Sequence, residues 1–93
     1  MLRIRLFRKR GEKYEYENTV YVDDDDLNDA GNKLVEKHGV QVGDIVYMGD
    51  IYLQLSKAEP EIKWTSLHPQ RPEVQGLYGK AVEAERLSGG VLQ

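Results

Sequence analysis

Residues 2–9, LRIRLFRK, alternate apolar and polar side chains with a period of two, which suits a half-buried strand and not a helix face. Leu2, Ile4 and Leu6 fall on one side, and Arg3, Arg5 and Phe7 on the other. The pattern resumes in YEYENTVYV, residues 14–22, where Tyr14, Tyr16, Val20 and Val22 form the inward set and Glu15, Glu17, Thr19 and Tyr21 the outward one. With Arg10-Gly11-Glu12 as the loop, the two strands make a hairpin that sets Arg5 opposite Glu17 and Arg3 opposite Thr19. Such a hairpin needs a cover for its apolar face, and the residues that follow supply one.

In the run from Thr19 to Gly39, TVYVDDDDLNDAGNKLVEKHG, Asp23 is placed to cap a helix, with Asp26 three residues on as a short capping-box partner. Val22 and Leu27 fit the hydrophobic staple, and Asp24, Asp25 and Asp26 occupy a first turn where the helix dipole favours negative charge. Leu27, Ala30, Gly31, Leu34, Val35 and His38 recur at helical spacing, and Gly39 ends the helix. A calcium loop would need ligands at alternate positions and a distal bidentate acid, which do not follow the aspartates, so no metal site is expected.

Residues 39–57, GVQVGDIVYMGDIYLQLSK, read as a second hairpin around Gly49-Asp50, with Met48 opposite Ile51 and Val46 opposite Leu53. Ile45, Tyr47, Tyr52 and Gln54 then share the other face. The expected fold class is α+β: a small antiparallel sheet of two hairpins with one covering helix (ββαββ), occupying residues 1–57, followed by an extended C-terminal arm over 58–93. The arm holds all three prolines and four of the nine glycines. Within it EIKWTSL (61–67) has the pattern of an edge strand, HPQRPEVQGLYG (68–79) that of a loop, and GKAVEAERLSGG (79–90) that of a short helix stopped by glycine.

The net charge of −3 conceals a segregation. Arg3, Arg5, Arg8, Lys9, Arg10 and Lys13 crowd the first thirteen residues, whereas Glu15, Glu17, Asp23, Asp24, Asp25, Asp26 and Asp29 follow without a base among them. A strand linking the basic turn to the aspartates puts opposite charges about 30 Å apart, which suits head-to-tail contact between subunits. Arg8, Lys9, Arg10 and Lys13 are the candidate phosphate contacts if the tip meets nucleic acid.

Catalysis finds little support. There is no cysteine, which removes thiolate nucleophiles, disulfides and Cys-ligated zinc; the two histidines, His38 and His68, belong to no recognisable triad, and no glycine pattern cradles a phosphate. No cofactor is expected. No apolar run is long enough to cross a bilayer, and the expected location is the cytoplasm or a virion.

The run EKHGVQVGDIVYMGDIYLQLSK, residues 36–57, resembles the helix, GD turn and strand return of swapped-hairpin AbrB or MazE regulators, which implies a dimeric DNA-binding domain with a partner-binding tail. The ββαββ order followed by Gly89-Gly90 also resembles a ubiquitin-like β-grasp, which implies a modifier processed after Gly90. From the residues themselves the leading expectation is a non-enzymatic interaction module, a small subunit of a larger assembly such as a virion or phage head–tail component. The alternative is a DNA-binding regulator or antitoxin using the basic hairpin. The expected protein contacts are Tyr47, Tyr52, Trp64, Leu67, Leu77 and Tyr78, large apolar groups on one sheet face and along the arm.

Overall fold

Two short turns organise the sheet. Strands β1 (Leu2–Arg10) and β2 (Lys13–Val22) are joined through Gly11-Glu12, and β3 (Ile45–Met48) and β4 (Ile51–Lys57) through Gly49-Asp50. In each turn glycine takes the first central position, at φ +63° and +64°, and among the described residues no other residue type has a positive φ. That is the backbone of a type II′ turn, whose twist matches the strands it connects. These features come from a computed structural model, which describes residues 2–23 and 27–87.

In the second hairpin Met48 pairs with Ile51 and Val46 with Leu53, and Ile45, Tyr47, Tyr52 and Gln54 share a face, as the alternation requires. The first hairpin departs from its expected register. Phe7 pairs with Tyr16 and Leu6 with Asn18, leaving Glu17 as an extra residue in a β-bulge. Arg5 therefore faces Thr19 and Arg3 faces Tyr21, and the loop shortens to two residues. Because side-chain direction alternates along a strand, one inserted residue sends the two halves of β2 to opposite faces. Tyr14 and Tyr16 join Phe7 on one side, while Val20 and Val22 join Ile4 and Leu6 on the other.

The sheet has five strands in the order β2-β1-β3-β4-β5, every neighbouring pair antiparallel, with β5 spanning Lys63–Ser66 at one edge. Helix α1 (Leu27–His38) carries the chain from the other edge, β2, to β3 beside β1. Its Ala30 and Leu34 bury against Ile4, Leu6, Val46, Met48 and Leu55. Gly39 then turns at φ +68°, and the Val40 amide donates back to the Leu34 carbonyl at 3.3 Å. The segment that resembles swapped-hairpin regulators thus closes on β1 of its own chain.

The opposite face is also covered. Helix α2 (Gln75–Leu87), entered through a 3-10 turn at Pro72–Val74, buries Ala81 and Ala84 against Phe7, Tyr14, Ile45, Tyr52 and Leu67. A fifth strand falls within the edge strand expected at 61–67 and a second helix overlaps the one expected at 79–90, so five strands lie between two helices. Residues assigned to an extended arm supply β5 and α2, and α2 starts earlier than the glycines suggested. Pro72 sits in the first turn, where its missing N–H costs nothing, and Gly76 and Gly79 lie on the exposed side of the helix. Asp24, Asp25 and Asp26, expected to form the first turn of α1, and Gly89-Gly90 lie outside the described residues. Among the described residues no helix is long and apolar enough to cross a membrane.

Gly31 shows why α1 can sit so close to the sheet. A Cβ there would lie 2.5 Å from Nε1 of Trp64, whose buried indole N–H has no hydrogen-bond partner among the described residues. Alanine ordinarily gains about 1 kcal/mol over glycine inside a helix. Overpacking costs about 1–3 kcal/mol, and the Trp64 ring, carried on β5 and packed against α1, stands where the new methyl would go. Gly31→Ala is expected to destabilise by about 1 kcal/mol in urea melts, and the same change in a Trp64→Leu background to be neutral or stabilising.

Candidate functional site

The basic turn is less available than its composition implies. Arg8 sits on the α1 side of β1 and donates from Nη2 to the His38 carbonyl at 2.8 Å and from Nη1 to the Gly39 carbonyl at 2.9 Å, closing the carboxyl end of α1. The same guanidinium meets Glu17 Oε2 at 2.9 Å and Asp44 Oδ2 at 3.1 Å. The bulge at Glu17 therefore coincides with an acid that Arg8 engages. Of the four candidate phosphate contacts, Arg8 is thus committed within the chain, and Arg10 lies 3.3 Å from Glu15. Lys9, Arg10 and Lys13 remain on the exposed surface of the tip.

Asp44, only 6% exposed, is the residue that sequence reasoning missed. It accepts from the Lys9 amide at 2.9 Å and the Gln41 amide at 2.9 Å besides Arg8, so a buried carboxylate ties β1 to the loop before β3. The neighbouring Gly43 carbonyl accepts from the Tyr14 hydroxyl at 2.7 Å. A GD pair after a helix was the available signal, and its role here is structural.

The Arg8 hydrogen bond holds the Glu17 carboxyl below its ordinary value of 4.5, against a smaller opposing effect of burial. With the folded-state value depressed, the pairing contributes above the unfolded value and is lost as pH falls through the folded one. The urea midpoint is expected to fall on acidification below about pH 4.5, and Arg8→Gln to flatten that part of the profile. Equal acid slopes for the two proteins would show that the pair contributes nothing.

At the opposite end of β1 the second sheet face opens into a groove of about 510 Å³ between the β3–β4 turn, the loop after β5 and α2 from Tyr78 to Val82. Tyr47, Tyr52 and Tyr78 line it, with Leu67 at its base and His68 and Pro69 on one wall. The Tyr47 and Tyr52 rings are 4.6 Å apart and tilted by 48°, and Tyr52 and Tyr78 are 5.8 Å apart at 86°, so the rings form walls rather than a stack. Ile51 and Val82, 37% and 39% exposed, stand on the rim with Asp50. Burial, and then the charge of Glu85, push the Tyr52 phenol up to about 12, so it stays a neutral donor at physiological pH.

Four of the six expected protein contacts, Tyr47, Tyr52, Leu67 and Tyr78, meet in this groove. Leu77 packs half-buried against the same cluster, and Trp64 is across the sheet beside α1. The aromatic face is thus covered in part by the chain's own α2, and what remains open is the groove. Ile51 and Val82 are not among the protein contacts expected from sequence, because only the docking of α2 brings them together. The chain has no significant match to any family model, curated protein or solved structure.

Proposed function

We propose that this chain is a non-enzymatic interaction module, a small subunit of a larger protein assembly such as a virion or phage head–tail component, that binds its partner through the tyrosine groove. The observation that carries this reading is the rim. Two aliphatic side chains, each more than a third exposed, flank three tyrosines on one concave surface, and aromatic-lined concavities with polar tips are the sites where buried contacts contribute most to protein association. The rest of the apolar surface expected to meet a partner is engaged in the two cores, which favours the groove over a detached arm.

The alternative, a DNA-binding regulator or antitoxin, would rely on the basic hairpin. Two of its cations face carboxylates at 2.9–3.3 Å, which lowers the charge on offer to phosphates. The test is the size of the native species in an extract of the chain's own source, alongside duplex-DNA titration at two salt concentrations. A complex well above 10.7 kDa with no DNA binding at physiological salt is the expected result. A monomer in the extract that binds duplex DNA with a steep salt slope would replace this reading with the regulator.

A further inference from the structure

We infer that the groove receives a cationic side chain from the hairpin tip of a second copy of this chain, so that copies associate head to tail. The inference rests on the groove being the interaction surface and adds the identity of its occupant.

The chemistry of the groove selects a cation. The three tyrosine rings pack on one another, at 48° and 86°, and Tyr52 is only 9% exposed, so the rings open to a ligand are those of Tyr47 and Tyr78, and a partly exposed ring attracts ammonium and guanidinium groups. The carboxylate lining the groove is Asp50, and among its lining residues there is no lysine or arginine. A neutral apolar ligand would satisfy Ile51 and Val82 but leave Asp50 without a counter-charge. A cation on an aliphatic stem satisfies both, since the stem packs on the rim and the head meets the rings and the acid.

The fold places a matching group at the other end. Leu2 pairs with Val22 and Ile4 with Met48, so Asp23 and the Gly49-Asp50 turn share one end of the sheet. Arg10 and Lys13 flank the Gly11-Glu12 turn at the opposite end. The molecule is 30 Å along its longest axis, about the length of β1, so tip and groove are too far apart to meet within one chain. A narrow Gly11-Glu12 turn flanked by two exposed cations, Arg10 and Lys13, which outnumber the one acid of the turn, has the shape to enter a neighbour's groove. The Arg10–Glu15 pair, with both side chains more than half exposed, exchanges readily for a partner in a less hydrated site. Because tip and groove are different surfaces, the contact is heterologous, and each added copy leaves a free tip and a free groove.

The experiment uses the full chain and two variants that keep the core intact. Arg10→Gln with Lys13→Gln removes the tip charges; Asp50→Lys with Val82→Lys makes the rim repel cations, at exposed positions. By sedimentation at millimolar concentration and low salt, the unmodified chain is expected to form a ladder of oligomers that shrinks as salt is added. Each variant alone is expected to be monomeric with native circular dichroism. Mixed together, they are expected to form a 1:1 dimer and nothing larger, because the pair retains one working tip and one working groove. A monomeric unmodified chain, or a mixture that stays monomeric, overturns the inference.

A parallel titration with arginine amide, followed through the tyrosine ring resonances, separates that failure from failure of the groove itself. Ring shifts in a monomeric chain mean that a cation from some other protein occupies the groove, so the interaction reading survives without the second copy. No self-association and no ring shifts remove both.

Discussion

Replacing Arg5 by alanine is expected to cost about 3–5 kcal/mol, enough to unfold a large share of a domain this small. Arg5 lies on the second sheet face, 2% exposed. Its Nε donates to Glu85 at 2.9 Å, and its guanidinium carbon stands 4.3 Å from the Tyr16 ring centroid and 5.8 Å from that of Phe7. The alternating pattern of β1 pointed this charge at water, and α2 covers it. Deleting the cation strips this contact from the Glu85 carboxylate and opens a void beneath the helix. Glu85→Gln retains an acceptor for Nε and is expected to cost less, about 1–2 kcal/mol. Arg5→Met combined with Glu85→Leu is expected to recover most of the loss, since a packed apolar pair is often as stable as a buried ionic one. Urea unfolding of the unmodified chain, Arg5→Met, Glu85→Leu and the double variant closes a cycle and gives the coupling energy. A cost under 1 kcal/mol for Arg5→Ala would mean that the pair does not hold α2 in place.

Asp44→Ala is the second large effect, about 3 kcal/mol or more. Three donors converge on this carboxylate, two of them backbone amides, and hydrogen bonds to a charged group contribute about 1.5–3 kcal/mol each. Alanine strands the Lys9 and Gln41 amides and removes one of the acids that hold Arg8. Asparagine keeps one acceptor oxygen but turns an amide donor toward the other donors, so its cost should be intermediate. Hydrogen exchange at the Lys9 and Gln41 amides is expected to accelerate in both variants while the amides of β4 beyond Leu55 change only with global stability. Unchanged exchange at those two positions would show that the carboxylate is not their acceptor in solution.

The parts of this fold that could be read from sequence are those decided by neighbours along the chain. The β3–β4 register follows from Gly49-Asp50 and a clean alternation, and the α1 stripe follows from its 3.6-residue spacing, with Ala30 and Leu34 buried as the period requires. The misreadings trace to long-range causes. Alternation suggests one wet face, so Phe7 was placed outward, yet α2 closes over it and it is fully buried. The bulge at Glu17 leaves no local mark, because a run of tyrosines, glutamates and valines alternates plausibly in either phase, and it coincides with a contact to Arg8 across the strands. In the groove, Tyr47 and Tyr52 were legible as an aromatic pair on one face. Tyr78, Val82 and His68 joined them only through the path of the chain after β5, which no local spacing encodes.

The Arg5–Glu85 bond joins residues 80 positions apart in sequence, and that separation bears on how the molecule is made. At translation rates of roughly 5–20 residues per second, Arg5 waits about 4–16 s before Glu85 is polymerised. In that interval the α1 layer can assemble around Leu34, whose sheet partners up to Leu55 are already synthesised. The tyrosine-rich face has no cover. An arginine in its centre, solvated until α2 docks, is expected to oppose pairing of that surface with a neighbouring nascent chain. The charge that is costly to bury once α2 docks is thus the one that faces water before Glu85 is made.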